Sequence, residues 1–142
     1  VTSDFHSNIE NIWDKIQDVN TLREICKPKA SFIACDDSPI QWKEGKTFVF
    51  KMYLHGFLPV GRHTINVVKM DKTSREIDTK EYDNTVVIWN HYIKMEEISQ
   101  QVTRYTDTVD LYAGCLTSIA AWWTLKFYKH RQRKWQKIAK SL

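Results

Sequence analysis

Residues 116–142, LTSIAAWWTLKFYKHRQRKWQKIAKSL, hold neither proline nor glycine, so nothing inside the stretch breaks a helix. Leu116, Ile119, Ala120, Trp123 and Phe127 recur at three- and four-residue steps, and Trp135, Ile138 and Leu142 rejoin the same side. At about 100° per residue these positions span a stripe roughly 160° wide, the apolar face of one helix roughly 40 Å long. Gly114, just before it, lets the chain turn out of whatever precedes. A helix this long and one-sided needs a broad partner surface, which the rest of the chain must supply.

The upstream residues have other periods. Residues 1–6 alternate loosely and predict a short first strand. Ser7 with Glu10 reads as a capping box that starts a helix at Asn8, and Ile9, Ile12, Trp13 and Ile16 give that helix an apolar face. Asn20 can cap a second short helix from Thr21 to Cys26, which Pro28 ends. From Ala30 the period is two. Strands are predicted at 31–35, 46–54, 62–70, 75–82, 86–97 and 101–112. Between them lie turn signals such as Asp36-Asp37-Ser38-Pro39, Lys43-Glu44-Gly45, the loop 56–61, Asp71-Lys72-Thr73-Ser74 and Asp83-Asn84. Successive strands with short connections make an antiparallel meander. The predicted class is therefore α+β: a curved antiparallel sheet wrapped around a long C-terminal helix, with two short helices near the N-terminus, in one domain over 1–142.

Composition limits the function classes. The 142 residues suffice for a core without staples, and no apolar run approaches the roughly 20 residues of a membrane span. The first residues lack the basic start and apolar centre of a signal peptide. Cys26, Cys35 and Cys115 are an odd set with no CxxC pair, which speaks against a disulfide framework. They read as small buried hydrophobes in a reducing, cytoplasmic setting. The net charge of +4 is uneven: Lys126, Lys129, Arg131, Arg133, Lys134, Lys137 and Lys140 leave 14 basic against 17 acidic residues elsewhere. Cations near a helix C-terminus suit the macrodipole, so this run reads as a solvated face and no nucleic-acid partner is expected.

Alternation decides which side chains share a face of the sheet. In the last strand Thr103, Tyr105, Asp107, Val109 and Leu111 are the more apolar set and are placed inward. Val87, Trp89, His91, Ile93 and Met95 follow in the preceding strand, as do Ile77, Thr79 and Glu81, and His63, Ile65 and Val67. His63, Glu81, His91 and Asp107 thus share the buried face on four successive strands, with Trp89 and Tyr105 among them. Isolated ionisable groups are costly to bury, so these four should pair with one another or with a ligand. They could be histidine–carboxylate pairs that orient the sheet, an anchor for a ligand's polar end, or a general acid/base set. Two histidines and two carboxylates are metal-ligating types, but no local spacing motif accompanies them, and no metal is expected. GxGxxG, phosphate-loop, HExxH and GxSxG motifs are missing, so no cofactor is expected either.

The helix NIENIWDKIQDVNTLREICKP (8–28), the segments WKEGKTFVFKM (42–52), GFLPVGRHTINVVKMD (56–71) and EYDNTVVIWNHYI (81–93), and the closing TRYTDTVDLYAGCLTSIAAWWTLKFYKHRQRKW (103–135) resemble the START-like, or SRPBCC, superfamily. This group includes Bet v 1-like, polyketide cyclase/dehydratase and lipid-transport proteins and many bacterial members. The resemblance covers essentially the whole chain and rests on element order and on diffuse positions such as Trp13, Asp18, Gly45, Trp89 and Gly114. It implies a helix-grip fold with a deep cavity between sheet and helix. The superfamily has no shared catalytic set, so the resemblance assigns no catalytic role to His63, Glu81, His91 or Asp107.

The leading expectation is a non-catalytic binder of a small hydrophobic or amphipathic molecule of lipid, polyketide or aromatic type. Tyr53, His55, Trp89, Tyr105, Trp123 and Phe127 are its wall candidates, and the inward polar set would orient the ligand. The alternative is a polyketide cyclase- or dehydratase-like enzyme moving protons through His91 or His63 with Asp107 or Glu81. A third reading is an interaction or dimerisation module, because Trp122 and Leu125 fall outside the main helical stripe.

Overall fold

The computed structural model describes residues 1–37 and 40–142. The expected turn at Asp36-Asp37-Ser38-Pro39 therefore lies partly outside the described residues. Seven strands form one antiparallel sheet: β1 (Thr2–Phe5), β2 (Ala30–Ala34), β3 (Thr47–Leu54), β4 (Leu58–Asp71), β5 (Glu76–Tyr82), β6 (Ile88–Ser99) and β7 (Val102–Tyr112). Their spatial order is β1-β7-β6-β5-β4-β3-β2, a meander whose first strand joins the far edge beside the last. Register shifts at Met52/Tyr53, Val67/Lys69 and Glu97/Ser99 add the local bends that curve such a sheet.

Three helices complete the fold: α1 (Ile9–Ile16), α2 (Val19–Cys26) and α3 (Thr117–Ala139). A 3₁₀ turn at Gly114–Leu116 leads into α3, with Gly114 at φ +58°, a conformation that a side chain would strain. The arrangement is the predicted helix-grip α+β fold.

Local detail departs from the predicted caps. Asn8, not Ser7, caps α1, its Oδ1 accepting from Asn11 N at 2.8 Å. Glu10 is turned away from any capping box and pairs with Arg75 and Lys72. α2 starts earlier than expected, because Asp18 Oδ1 accepts from Asn20 N at 2.8 Å and takes the cap role predicted for Asn20. β4 likewise starts at Leu58, since the β3–β4 hairpin closes tightly through His55 and Gly56, both at positive φ.

α3 corrects the sequence reading most. Its buried side chains are Thr124, Phe127, Tyr128, Arg131, Gln132, Trp135 and Ala139. Of the expected stripe only Phe127 and Trp135 are buried, while Leu116, Ile119 and Leu142 are exposed. At about 100° per residue the packed face is turned roughly 70° from the apolar one. The cause lies in what α3 meets. Its later turns pack on the aromatic floor formed by Phe5 and Tyr105, whose rings lie 5.8 and 6.0 Å from that of Trp135. Along its first turns Ile119, Trp122 and Leu125 are exposed, and Ala120 and Trp123 are only half-buried against the core. Cysteine burial also differs from expectation. Cys26 is buried, and burial pushes its thiol up to about 12, whereas Cys35 and Cys115 are exposed.

Candidate functional site

The register of the sheet assembles the site. Glu81 lies opposite Ile65, which puts it diagonal to His63 on the same face. His91 lies opposite Thr79 and so is diagonal to Glu81, and Asp107, opposite Ile93, is diagonal to His91. Diagonal neighbours on one face of an antiparallel pair lie about 7–8 Å apart, within reach of long side chains. The four inward ionisable residues therefore form a connected row.

His63 Nε2 lies 2.8 Å from Glu81 Oε2, and His63 Nδ1 lies 3.1 Å from Asp83 Oδ2. With a carboxylate on each nitrogen, both nitrogens must donate, and this defines an imidazolium. Burial pushes the ring towards neutrality, but the hydrogen bonds to Asp83 and Glu81 outweigh that and raise it to about 9. His91 Nε2 is 2.7 Å from Asp107 Oδ1, and its Nδ1 is 3.7 Å from Glu81 Oε1. Burial again opposes its charge, and Asp107 and Glu81 again raise it overall. Burial would raise Glu81, Asp83 and Asp107, yet their histidine partners hold all three below the usual carboxylate range. Thr79 Oγ1 donates to Glu81 Oε1 at 2.6 Å, and Gln132 Nε2 donates to Asp107 Oδ2 at 2.8 Å. The row thus reads Asp83–His63–Glu81–His91–Asp107, tied at one end to α3.

His63, Glu81 and His91 of this row line a cavity of about 70 Å³ between sheet and α3. The rest of the lining is mostly apolar, with Ile16, Leu22, Ile25, Phe32 and Phe127 among its residues. Pockets for drug-sized molecules run to about 300–1,000 Å³, so the expected deep cavity is largely filled by side chains. A wider cleft of about 420 Å³ lies between β7 and the first turns of α3.

Of the sequence-predicted residues, His63, Glu81, Trp89, His91, Tyr105 and Phe127 line the cavity, and Asp107 is paired with His91. The structure does not bring Tyr53, His55 or Trp123 to that lining. Tyr53 sits at the β3 bulge, and His55 occupies the exposed hairpin turn. Trp123 is half-buried and stacks on Phe127, with ring centres 4.7 Å apart. Val87, expected inward, precedes β6 and is exposed.

Several contributors escaped the sequence reading. Asp83 was read only as a turn residue. It is one, accepting from Thr85 N and Val86 N at 2.8 and 2.7 Å, but its second oxygen holds His63. Tyr128, whose hydroxyl accepts from Trp89 Nε1 at 3.2 Å, and Arg131 both line the cavity from α3. The available signal for Arg131 was its place midway between Phe127 and Trp135 at four-residue steps, on the face those aromatics bury.

Comparison with solved structures shows the fold. A START superfamily protein from Mycobacterium smegmatis is 12% identical with a TM-score of 0.70, covering 99% of this chain and 95% of that one. The Zhui aromatase/cyclase from a Streptomyces species is also 12% identical, with a TM-score of 0.73 and coverage of 99% and 91%. A protein from Chromobacterium violaceum shares the fold at 6% identity, with a TM-score of 0.73 and coverage of 98% and 94%. No protein-family model matches the chain, and no curated protein matches it in sequence.

Proposed function

We propose that the protein binds a small hydrophobic or amphipathic molecule in the cavity between the sheet and α3. The observation that carries this reading is a mostly apolar cavity whose lining includes the hydrogen-bonded His63, Glu81 and His91 side by side. Apolar walls favour burial at about 25 cal/mol per Å², and the polar wall would select the orientation of a ligand with one polar end. The START-like fold, shared with the neighbours above, supports a cavity of this kind. Native mass spectrometry of the protein purified from its own source, with identification of what denaturation releases, tests it. A stoichiometric apolar adduct is expected. A clean apo mass that persists when candidate molecules are added back would refute it.

A second reading is supported by the same row. His91 and Glu81 face the cavity, and a histidine beside a carboxylate can move protons in a cyclisation or dehydration of a polyketide-like substrate. One structural neighbour is an aromatase/cyclase, which agrees with it. Under this reading His91→Ala and Asp107→Ala abolish turnover and leave affinity within about threefold. Loss of folding in both variants would make the row structural instead.

A further inference from the structure

Arg131 is the one cavity-lining side chain whose charge has no direct partner. It is 7% exposed, and no carboxylate among the described residues comes within ion-pair distance of its guanidinium. Its Nε has no hydrogen-bond acceptor. The Tyr128 and Phe127 rings, centred 4.5 and 5.7 Å from its Cζ, cover it with π density but accept no directed hydrogen bond. Two more buried donors on the same cavity are equally unmatched: the Trp135 indole Nε1 and the Tyr105 hydroxyl. Buried donors without acceptors are rare in folded proteins and call for an explanation. All three belong to residues that line one cavity, and an acceptor bound there would answer them.

Charge decides which acceptor. The row of Asp83, Glu81 and Asp107 carries three negative charges, and His63, held between two of them, carries one positive charge. Arg131 supplies a second, and its charged neighbours include Asp107 and His91. Even with His91 protonated as well, the buried cluster holds no surplus positive charge before any ligand enters. A carboxylate or phosphate would bring uncompensated negative charge into it, against the cost of burying an unpaired ion. An uncharged oxygen acceptor would satisfy the same donors and leave the balance intact. A hydroxyl fits less well, because its own proton would need an acceptor: the lining carboxylate, Glu81, is already engaged, and Gln132 Oε1, which has no partner, lies outside the lining.

Resting on the binding reading above, we infer that the ligand is a compact, mainly apolar molecule whose polar end is a neutral carbonyl oxygen, received by Arg131 with Trp135 and Tyr105. The apolar side of the cavity takes the hydrocarbon body, and the guanidinium polarises the carbonyl.

The test uses three probes of nearly one shape: acetophenone, α-methylstyrene and benzoate. They present a carbonyl, a methylene and a carboxylate at the same position. Calorimetry on the full chain at pH 7 should find acetophenone at least tenfold tighter than either of the others. The carbonyl carbon of ¹³C-labelled acetophenone should move downfield when bound, as it does on accepting a strong hydrogen bond. In Arg131→Met the preference over α-methylstyrene should fall to about one and the downfield shift should vanish. If that variant does not fold, the wild-type ranking and the shift still decide. Benzoate binding tightest would overturn the inference in favour of an anion site. Equal binding of acetophenone and α-methylstyrene would overturn it while leaving a purely apolar binding cavity. Binding by none of the three would overturn it too, with the wider reading still decided by native mass spectrometry.

Discussion

A histidine clamped between two buried carboxylates responds to pH in both directions, and His63 is such a residue. Its value is raised from 6.5 to about 9, so the stabilisation it carries is complete below pH 6.5 and is lost as pH climbs through 9. Glu81, Asp83 and Asp107 are depressed, so their stabilisation is present above their ordinary values of 4.5 and 3.8 and is lost on acidification. The rise of His63 and the fall of its two acids are one interaction seen from its ends and count once. Stability should therefore plateau between about pH 4.5 and 6.5 and fall on both sides. The alkaline loss is on the order of 3 kcal/mol. Urea midpoints at pH 6 and pH 9.5 measure it, and equal midpoints would show that His63 is not held as an imidazolium. Four residues of this row were legible in the sequence, because strand alternation puts like-numbered positions on one face. Asp83 was not. It lies in a turn, where no period reports direction, and its role depends on a register that only the folded hairpin supplies.

At the scale of the element, α3 separates two properties that usually coincide: the face that is apolar and the face that is packed. Ile119 belongs to the first and is 68% exposed, while Trp135 belongs to both and is 1% exposed. Ile119→Glu should change stability by no more than about 0.5 kcal/mol. Trp135→Ala should cost about 3–5 kcal/mol, since it removes the ring packed on Phe5 and Tyr105. Denaturant unfolding of the two variants checks the pair, and a large effect at Ile119 would restore the apolar stripe as the packed face. The existence, length and place of this helix were readable because proline, glycine and the period are local signals. Its rotation was not, because the buried face carries Thr124, Arg131 and Gln132, polar residues that a hydropathy pattern turns outward, and only the folded sheet brings Asp107 to the Gln132 amide. The same rotation leaves Trp122 and Leu125 in solvent, with Lys126 Nζ resting 3.9 Å from the Trp122 ring centre. If these residues form the proposed dimer contact, sedimentation at two concentrations will show mass rising with concentration, whereas an invariant monomer leaves them as surface.

Across the whole molecule, sheet and helix enclose one small cavity and leave a broader cleft open beside it, and one side chain borders both. Tyr128 lines the inner cavity and the cleft along β7, and its hydroxyl is fastened to the Trp89 indole. The partition has kinetic consequences that equilibrium affinity does not report. If the cleft is the entrance, a molecule passing into the cavity displaces that ring and breaks its hydrogen bond, and arrival and departure share a barrier. Tyr128→Phe keeps the ring and removes the fastening. Stopped-flow exchange should show both rate constants rising several-fold with their ratio nearly unchanged, and unaltered rates would place the entrance elsewhere. The tyrosine would then act as a latch, setting how long a guest stays more than how tightly it is held.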